Sequence, residues 1–328
     1  MLGRNVETMA CRSVYLDQNQ WIYLAMDYWG KPHRPTHRGI AQWLLAKVNS
    51  GELFLPLSTI HCIEHLRAED PTRRQRLAEV FDLFSQGSYM ASWGLVLPAE
   101  IRQAVAKTFG DSRPTAPPQV FGKGFLFGLG PAERELLYAD RSVARVNLLE
   151  QIASLPGAIL DLLTFPNELG RKKQKEKGKE ISASSARAAE DLRQIRRPEP
   201  AETHRRAQYA GYTLHHQDFL IAALVAVGRT PDDFLSLGLE RVMRFWSDVP
   251  SLDVDCELTL YRDRQWTRRV QENDVRDIWH LALAVPYCDV VVTERFWTRA
   301  AVETGIGEKY GTVVCADLAE IQDLVDRG

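Results

Sequence analysis

Residues 273–299 read NDVRDIWHLALAVPYCDVVVTERFWTR, a helical pattern that runs through a turn into an unbroken β-branched strand. Val275, Ile278, Trp279, Ala282 and Leu283 recur at helical spacing, and Pro286 marks where that helix stops. DVVVTER then carries consecutive valines, the pattern of a strand buried on both faces of a parallel sheet. Beyond it FWTRAAVETG reads as a helix with Gly305 near its end, GTVVCA as a further strand and DLAEIQDLVDRG as a closing helix.

The amino-terminal region shows the same alternation. SVYLD is a short strand, NQWIYLAMDYW a helix, and IAQWLLAKVNSG a second helix closed by Gly51. ELFLPLS is the next strand and leads into TIHCIEHLRAED, where Ser58 or Thr59 caps the helix. A helix over Pro71 to Gln86 follows, then SYMASWGLVL, a short third strand or an extended connection. Alternation at both ends predicts an α/β fold with a parallel central sheet and right-handed crossovers. From about Pro98 to Pro250 the patterns are helical, PAERELLYADRSVARVNLLEQIASL among them, with loops marked by Pro, Gly and charge. The expected organisation is a discontinuous domain over 12–95 and 255–328, interrupted by a helical insertion over 96–254.

At 45% hydrophobic and 26% charged residues the composition excludes a disordered or fibrous chain. Neither an apolar signal stretch nor a run of roughly 20 apolar residues occurs, so the expectation is a cytoplasmic protein without a membrane partner. Cys11, Cys62, Cys256, Cys288 and Cys315 are scattered and never form a CxxC pair, which argues against a disulfide framework or structural zinc. The net charge of −2 gives no global attraction to polyanions, yet Arg171 to Arg206 holds 12 basic against 6 acidic residues. This segment, 171–206, is expected to be a mobile loop or an exposed helix. Arg171, Lys172, Lys173, Lys175, Arg196 and Arg197, with Arg295, are candidate phosphate contacts, although the segment contains no aromatic stacking platform.

In an open parallel sheet functional groups collect beyond the carboxyl ends of the strands. Asp17 ends the first strand, Thr293 and Glu294 end DVVVT, Glu64 lies in the helix after the second strand, and Asp274 and Asp277 share a helix face. Singly each has a plain reading: Asp17 caps a helix, Glu64 pairs with Arg67, Asp274 and Asp277 complement a helix dipole, and Thr293 is a strand residue. Converging, they repel one another unless a cation neutralises them. An all-oxygen set suits Mg²⁺ or Mn²⁺, and one or two such ions can drive phosphodiester hydrolysis. Asn19 starts a helix or orients Asp17, and Thr293 can hydrogen-bond a metal-bound water or phosphate. His61, His65 and His280 are expected to pack rather than act as bases, and Trp21, Trp43 and Trp279 to lie in the core. His204, His215 and His216 have no carboxylate-rich partner pattern, so no zinc site is built from them.

YLDQNQW, STIHCIEHL and NDVRDIWHLALAVPYCDVVVTERFW resemble the acidic motifs of PIN-domain ribonucleases, the superfamily of bacterial toxin ribonucleases and RNA-processing nucleases. The resemblance covers roughly 12–95 and 255–328. It implies a PIN-like three-layer α/β/α sandwich and metal-dependent endoribonuclease activity, with Asp17, Glu64, Asp277 and Glu294 as catalytic metal ligands; beside them the reading of the residues themselves adds Asp274 as a supporting metal ligand and Asn19 and Thr293 as auxiliaries. Position 294 departs from the commonest pattern, which has Asp there. Asp289 precedes the strand and is expected at the opposite sheet edge. RNA is the favoured partner, an inhibitor or accessory protein and a toxin or defence role are admissible, and the rival functions are a structure-selective DNA nuclease and a catalytically silent binding module.

Overall fold

The computed structural model describes residues 11–66, 68–111, 115–129, 157–164 and 168–326. Arg67, the side chain of Arg171 and the helical pattern expected over 131–155 lie outside the described residues. Strands β1 (Arg12–Leu16), β2 (Leu53–Phe54), β5 (Val290–Val292) and β6 (Val313–Cys315) form an all-parallel sheet in the order β2-β1-β5-β6. Strand β3 (Ser88–Met90) pairs antiparallel with β4 (Phe121–Lys123). A parallel bridge between Leu57 and Tyr89 joins β3 to the chain just beyond β2. The anticipated third strand is thus β3, while GLVL belongs to the helix Trp93–Phe109.

The valine run is explained by what covers each face. Val290 and Val292 pack with Val14 and Leu16 in one core cluster, whereas Val291 packs with Tyr15 in another. The first cluster gathers Trp21 and Leu24 of α1 (Gln18–Tyr28), Leu44 of α2 (Ile40–Asn49) and Phe81 of α4 (Pro71–Ser85). The second gathers the helices Pro250–Arg264, Asp274–Tyr287 and Arg295–Thr304. Helices therefore cover both faces of a mixed α/β fold. The short helix α3 (Thr59–His65) begins at Ser58, whose N–H donates to Nδ1 of His61 at 3.0 Å.

A third cluster, built from Leu97, Ile101, Tyr212, Leu224, Phe245 and Trp246, is the core of the helical region. Its limits differ from the expected ones. Positions 95/96 and 254/255 both fall inside continuous helices, Trp93–Phe109 and Pro250–Arg264. Each helix serves two cores, since Val96 and Val254 join the sheet cluster and Leu97 and Leu252 join the helical one. The helix Ala158–Thr164 packs on α4 and contributes Ile159 and Leu163 to the first sheet cluster.

The basic segment is not a loop. It lies in a 29-residue helix, Glu168–Arg196, followed by the helix Ala201–His215. Trp21 is buried as expected and Trp43 packs partly against the core, but Trp279 is 50% exposed. Ile278, Ala282 and Leu283 fill the space under that helix, which leaves Val275 and Trp279 on the shoulder of the stripe. Among the described residues no helix is long and apolar enough to cross a membrane.

Candidate active site

The order β2-β1-β5-β6 places consecutive strands on opposite sides of β1, so the crossovers diverge between β1 and β5. Such a switch point opens a crevice outside the carboxyl ends of the strands. Asp17 follows β1 there, and its N–H donates to the carbonyl of Val292 at 3.0 Å. Thr293 follows β5, with its N–H on the carbonyl of Cys315 at 3.0 Å. The hydrogen-bond ladder of the sheet itself therefore sets both positions. A cleft of about 370 Å³ opens at this point, lined among others by Asp17, Glu64, Asp277, Thr293 and Glu294.

Asp17 caps α1, accepting the N–H of Gln20 at 3.0 Å, so its plain reading and its place in the cleft hold together. Burial, with the Glu294 carboxylate adding to it, pushes its pKa up to about 7 against hydrogen bonds from Gln20 and Thr293. Asp277 is pushed up to about 8 by burial, and Glu294, Glu64 and Asp17 all raise it further. The indole N–H of Trp297 donates to Asp277 Oδ2 at 3.1 Å and opposes that rise. The four acids thus share one electrostatic neighbourhood.

The two glutamates are held differently. Glu64 Oε1 accepts from Arg276 Nη1 at 2.9 Å, and the same guanidinium reaches Asn273. Glu294 is exposed at the start of the helix Arg295–Thr304 and accepts Asn19 Nδ2 at 2.7 Å. Asn19 accordingly orients Glu294, whereas the sequence suggested Asp17.

Asp274 requires a correction. It is buried and grips both terminal nitrogens of Arg268 at 2.6 Å, while the N–H of Gln271 adds a 2.7 Å bond. This carboxylate is neutralised behind the cleft and does not line it. Asp289 lies at the far strand end, as anticipated, where Oδ2 accepts from both N and Oγ of Ser13 at 2.8 Å.

His61 and His65 are fully buried. His280 faces the cleft floor, where Nδ1 meets the hydroxyls of Tyr15 and, at 3.2 Å, Ser58. Burial, aided by the Arg276 charge, lowers its pKa to about 3, so it is a neutral hydrogen-bonding group. Tyr15 and Ser58 were missed, because in sequence they read only as a strand residue and a helix cap. Arg268 was missed as well, since it lies in a stretch with no periodicity to reveal its partner.

Of the candidate phosphate contacts, Lys172, Lys173 and Arg295 are exposed. Lys175 is paired with Glu69, and the Arg197 guanidinium lies 5.2 Å from the Trp266 ring centre. Arg196 is half-buried near the end of the basic helix. That helix packs against Asp274–Tyr287, and its Lys177 lines a neighbouring groove, while the cations lining the acidic cleft are Arg73 and Arg276.

Among the described residues no three His, Cys, Asp or Glu side chains are grouped so as to hold a metal ion. The donor chemistry nonetheless fits a hard divalent cation. Asp17 and Asp277 are all-oxygen donors, raised to about 7 and about 8 by burial and by neighbouring carboxylates, and a cation removes both penalties. No family model, curated protein or solved structure matches the chain.

Proposed function

We propose that this chain is a metal-dependent endoribonuclease of the PIN-like type, its two-sided α/β sheet forming the sandwich of that fold. The observation that carries the reading is the meeting of Asp17, Glu64, Asp277 and Glu294, from four separate chain segments, in one cleft at the sheet's switch point. Asp17 and Asp277 would hold Mg²⁺ or Mn²⁺ with help from Glu64 and Glu294. Bound there, such an ion would supply positive charge for the scissile phosphate and lower the pKa of a bound water.

The chain's own groups do the rest. Trp297 orients Asp277, Asn19 orients Glu294, and Thr293 holds Asp17 by its hydroxyl. Exposed Lys172, Lys173 and Arg295 offset the repulsion that an acidic cleft presents to a polyanion. A second reading, a silent nucleic-acid-binding module, is favoured by the Glu64–Arg276 ion pair, which occupies one of the acids.

The test is cleavage of single-stranded RNA, with flapped and duplex DNA in the same buffer, alongside Mn²⁺ binding by calorimetry. Asp17→Asn and Asp277→Asn should each reduce Mn²⁺-dependent cleavage by on the order of 100-fold or more and weaken Mn²⁺ binding. Their circular dichroism should match the parent. Cleavage by both variants at the parental rate would sink the assignment of these acids. Salt-dependent binding by the parent, with no turnover in any divalent ion, would establish the silent module.

A further inference from the structure

The Asp274–Tyr287 helix separates two concavities. Asn273, Asp277 and His280, three or four residues apart, face the acidic cleft. Val275 and Trp279, also four apart, face a second groove of about 350 Å³ on the other side. Arg276 lines both, and its ion pair with Glu64 forms the ridge between them. The opposite walls of the groove are Ile60 and Ile63 of α3, and Lys177 and Ile181 of the basic helix. Trp279 is 50% exposed, Ile63 39% and Ile181 55%, so three large apolar side chains stand open to water at one place.

We propose that this groove is a nucleobase subsite, in which a base of a single-stranded nucleic acid stacks on Trp279 while Lys177 and Lys173 take the adjoining phosphates. This deepens the nuclease reading and rests on it for the polarity of the bound strand. Three observations single out a base as the occupant. The groove is apolar with a cationic edge on the side of the basic helix, where Lys177 lines it and Lys173, Lys177 and Ile181 follow one another at spacing four along one helix face, while Glu272 stands at the other edge. It shares a wall with the acidic cleft, so one strand can reach both. It presents an indole, the side chain best suited to stacking any base without regard to its identity. A protein partner would need about 800 Å² on this side, whereas the apolar lining here ends at charged Lys177 and Glu272.

The basic segment has no aromatic platform of its own. The fold supplies one from a helix distant in sequence. The experiment measures binding by fluorescence anisotropy with the full chain in EDTA, so cleavage plays no part. The probes are a labelled oligouridylate and an abasic ribose-phosphate strand of equal length. Trp279→Ala should weaken oligouridylate binding about tenfold, within what one base–aromatic stack contributes, while Trp279→Phe loses far less. Binding of the abasic strand should be unchanged by either substitution.

Equal weakening of both probes, no weakening of either, or no binding of oligouridylate by the parent chain would overturn the subsite. The outcomes separate from those of the nuclease test. A base-dependent loss without any cleavage in Mn²⁺ would retain the subsite and remove the activity, and intact cleavage with a Trp279→Ala variant that binds like the parent would do the reverse.

Discussion

Asp274 and Asp277 are the same residue type, one helical turn apart, and the molecule uses them in opposite ways. Asp274 is neutralised by Arg268, and Asp277 faces the cleft with the indole N–H of Trp297 on its Oδ2. Sequence made the acids at the strand ends legible, because a strand followed by a helix fixes where its last residue points. It could not separate the pair, since the deciding partner sits in a loop without periodicity. Another buried acid, Glu100, lay in no motif and was not singled out at all. It is 1% exposed and accepts from Ser251 Oγ at 2.7 Å and from the Tyr287 hydroxyl, tying three helices together. Burial pushes its pKa up from 4.5 to about 7 against those bonds. Between these values the folded chain holds a proton that the unfolded chain releases. The contribution of Glu100 to stability is therefore full below pH 4.5 and lost as pH rises through about 7. Glu100→Gln keeps the acceptor for Ser251 and Tyr287 but does not ionise. Thermal melts at pH 5 and pH 8 should show the parent losing on the order of 2 kcal/mol more than this variant over that interval. Parallel pH slopes would mean that Glu100 is not a titrating group of the fold.

At the scale of elements, the helix Asp274–Tyr287 carries three jobs on three faces. Ile278, Ala282 and Val285 reach the sheet core, Asp277 and His280 the cleft, and Val275 and Trp279 the groove. Its apolar stripe was readable from period alone, yet period cannot say how wide a stripe the core accepts, which is why Trp279 was expected inside. The helix start is set from elsewhere. Arg193 of the basic helix donates to the carbonyls of Arg268 at 2.7 Å and Gln265 at 3.3 Å, and Glu190 accepts the N–H of Val270 at 3.1 Å. Arg268 then clamps Asp274, with its guanidinium 4.1 Å from the Phe296 ring centre. The basic helix thereby anchors the segment that aims Asp277. Arg268→Ala leaves a buried carboxylate without its cation and should cost about 3 kcal/mol, whereas Arg268→Ala with Asp274→Asn should cost much less than the sum of the two single changes. Additive losses in chemical denaturation would show that the clamp is not a coupled pair.

The whole molecule is a parallel sheet whose two halves are separated in sequence by the helical region. Both halves were legible because strands buried on two faces leave unbroken apolar runs such as VVV, and because turns and caps mark the helices between them. The join was not legible, since a helical pattern records which face is buried and not against which core. Leu163 is the sharpest instance. It belongs to the region anticipated as an insertion, yet it is fully buried in the cluster that includes Val14 and Leu16 of β1. Its helix is attached at its start by the N–H of Gly157 on Asp82 of α4 at 3.2 Å. If the helical region were an independent unit, calorimetry would resolve two transitions, and a defect inside it would move only one. The shared cores imply one cooperative unit instead. Leu163→Ala should remove about 2–5 kcal/mol, the cost of a cavity in a packed core, and lower a single transition that includes the sheet. Hydrogen exchange then gives the residue-level check: the amides of β1 and β5 should lose protection together with those of Ala158–Thr164. Retention of full protection in β1 and β5 would mean that the helical region unfolds on its own and that the cleft depends on the sheet alone.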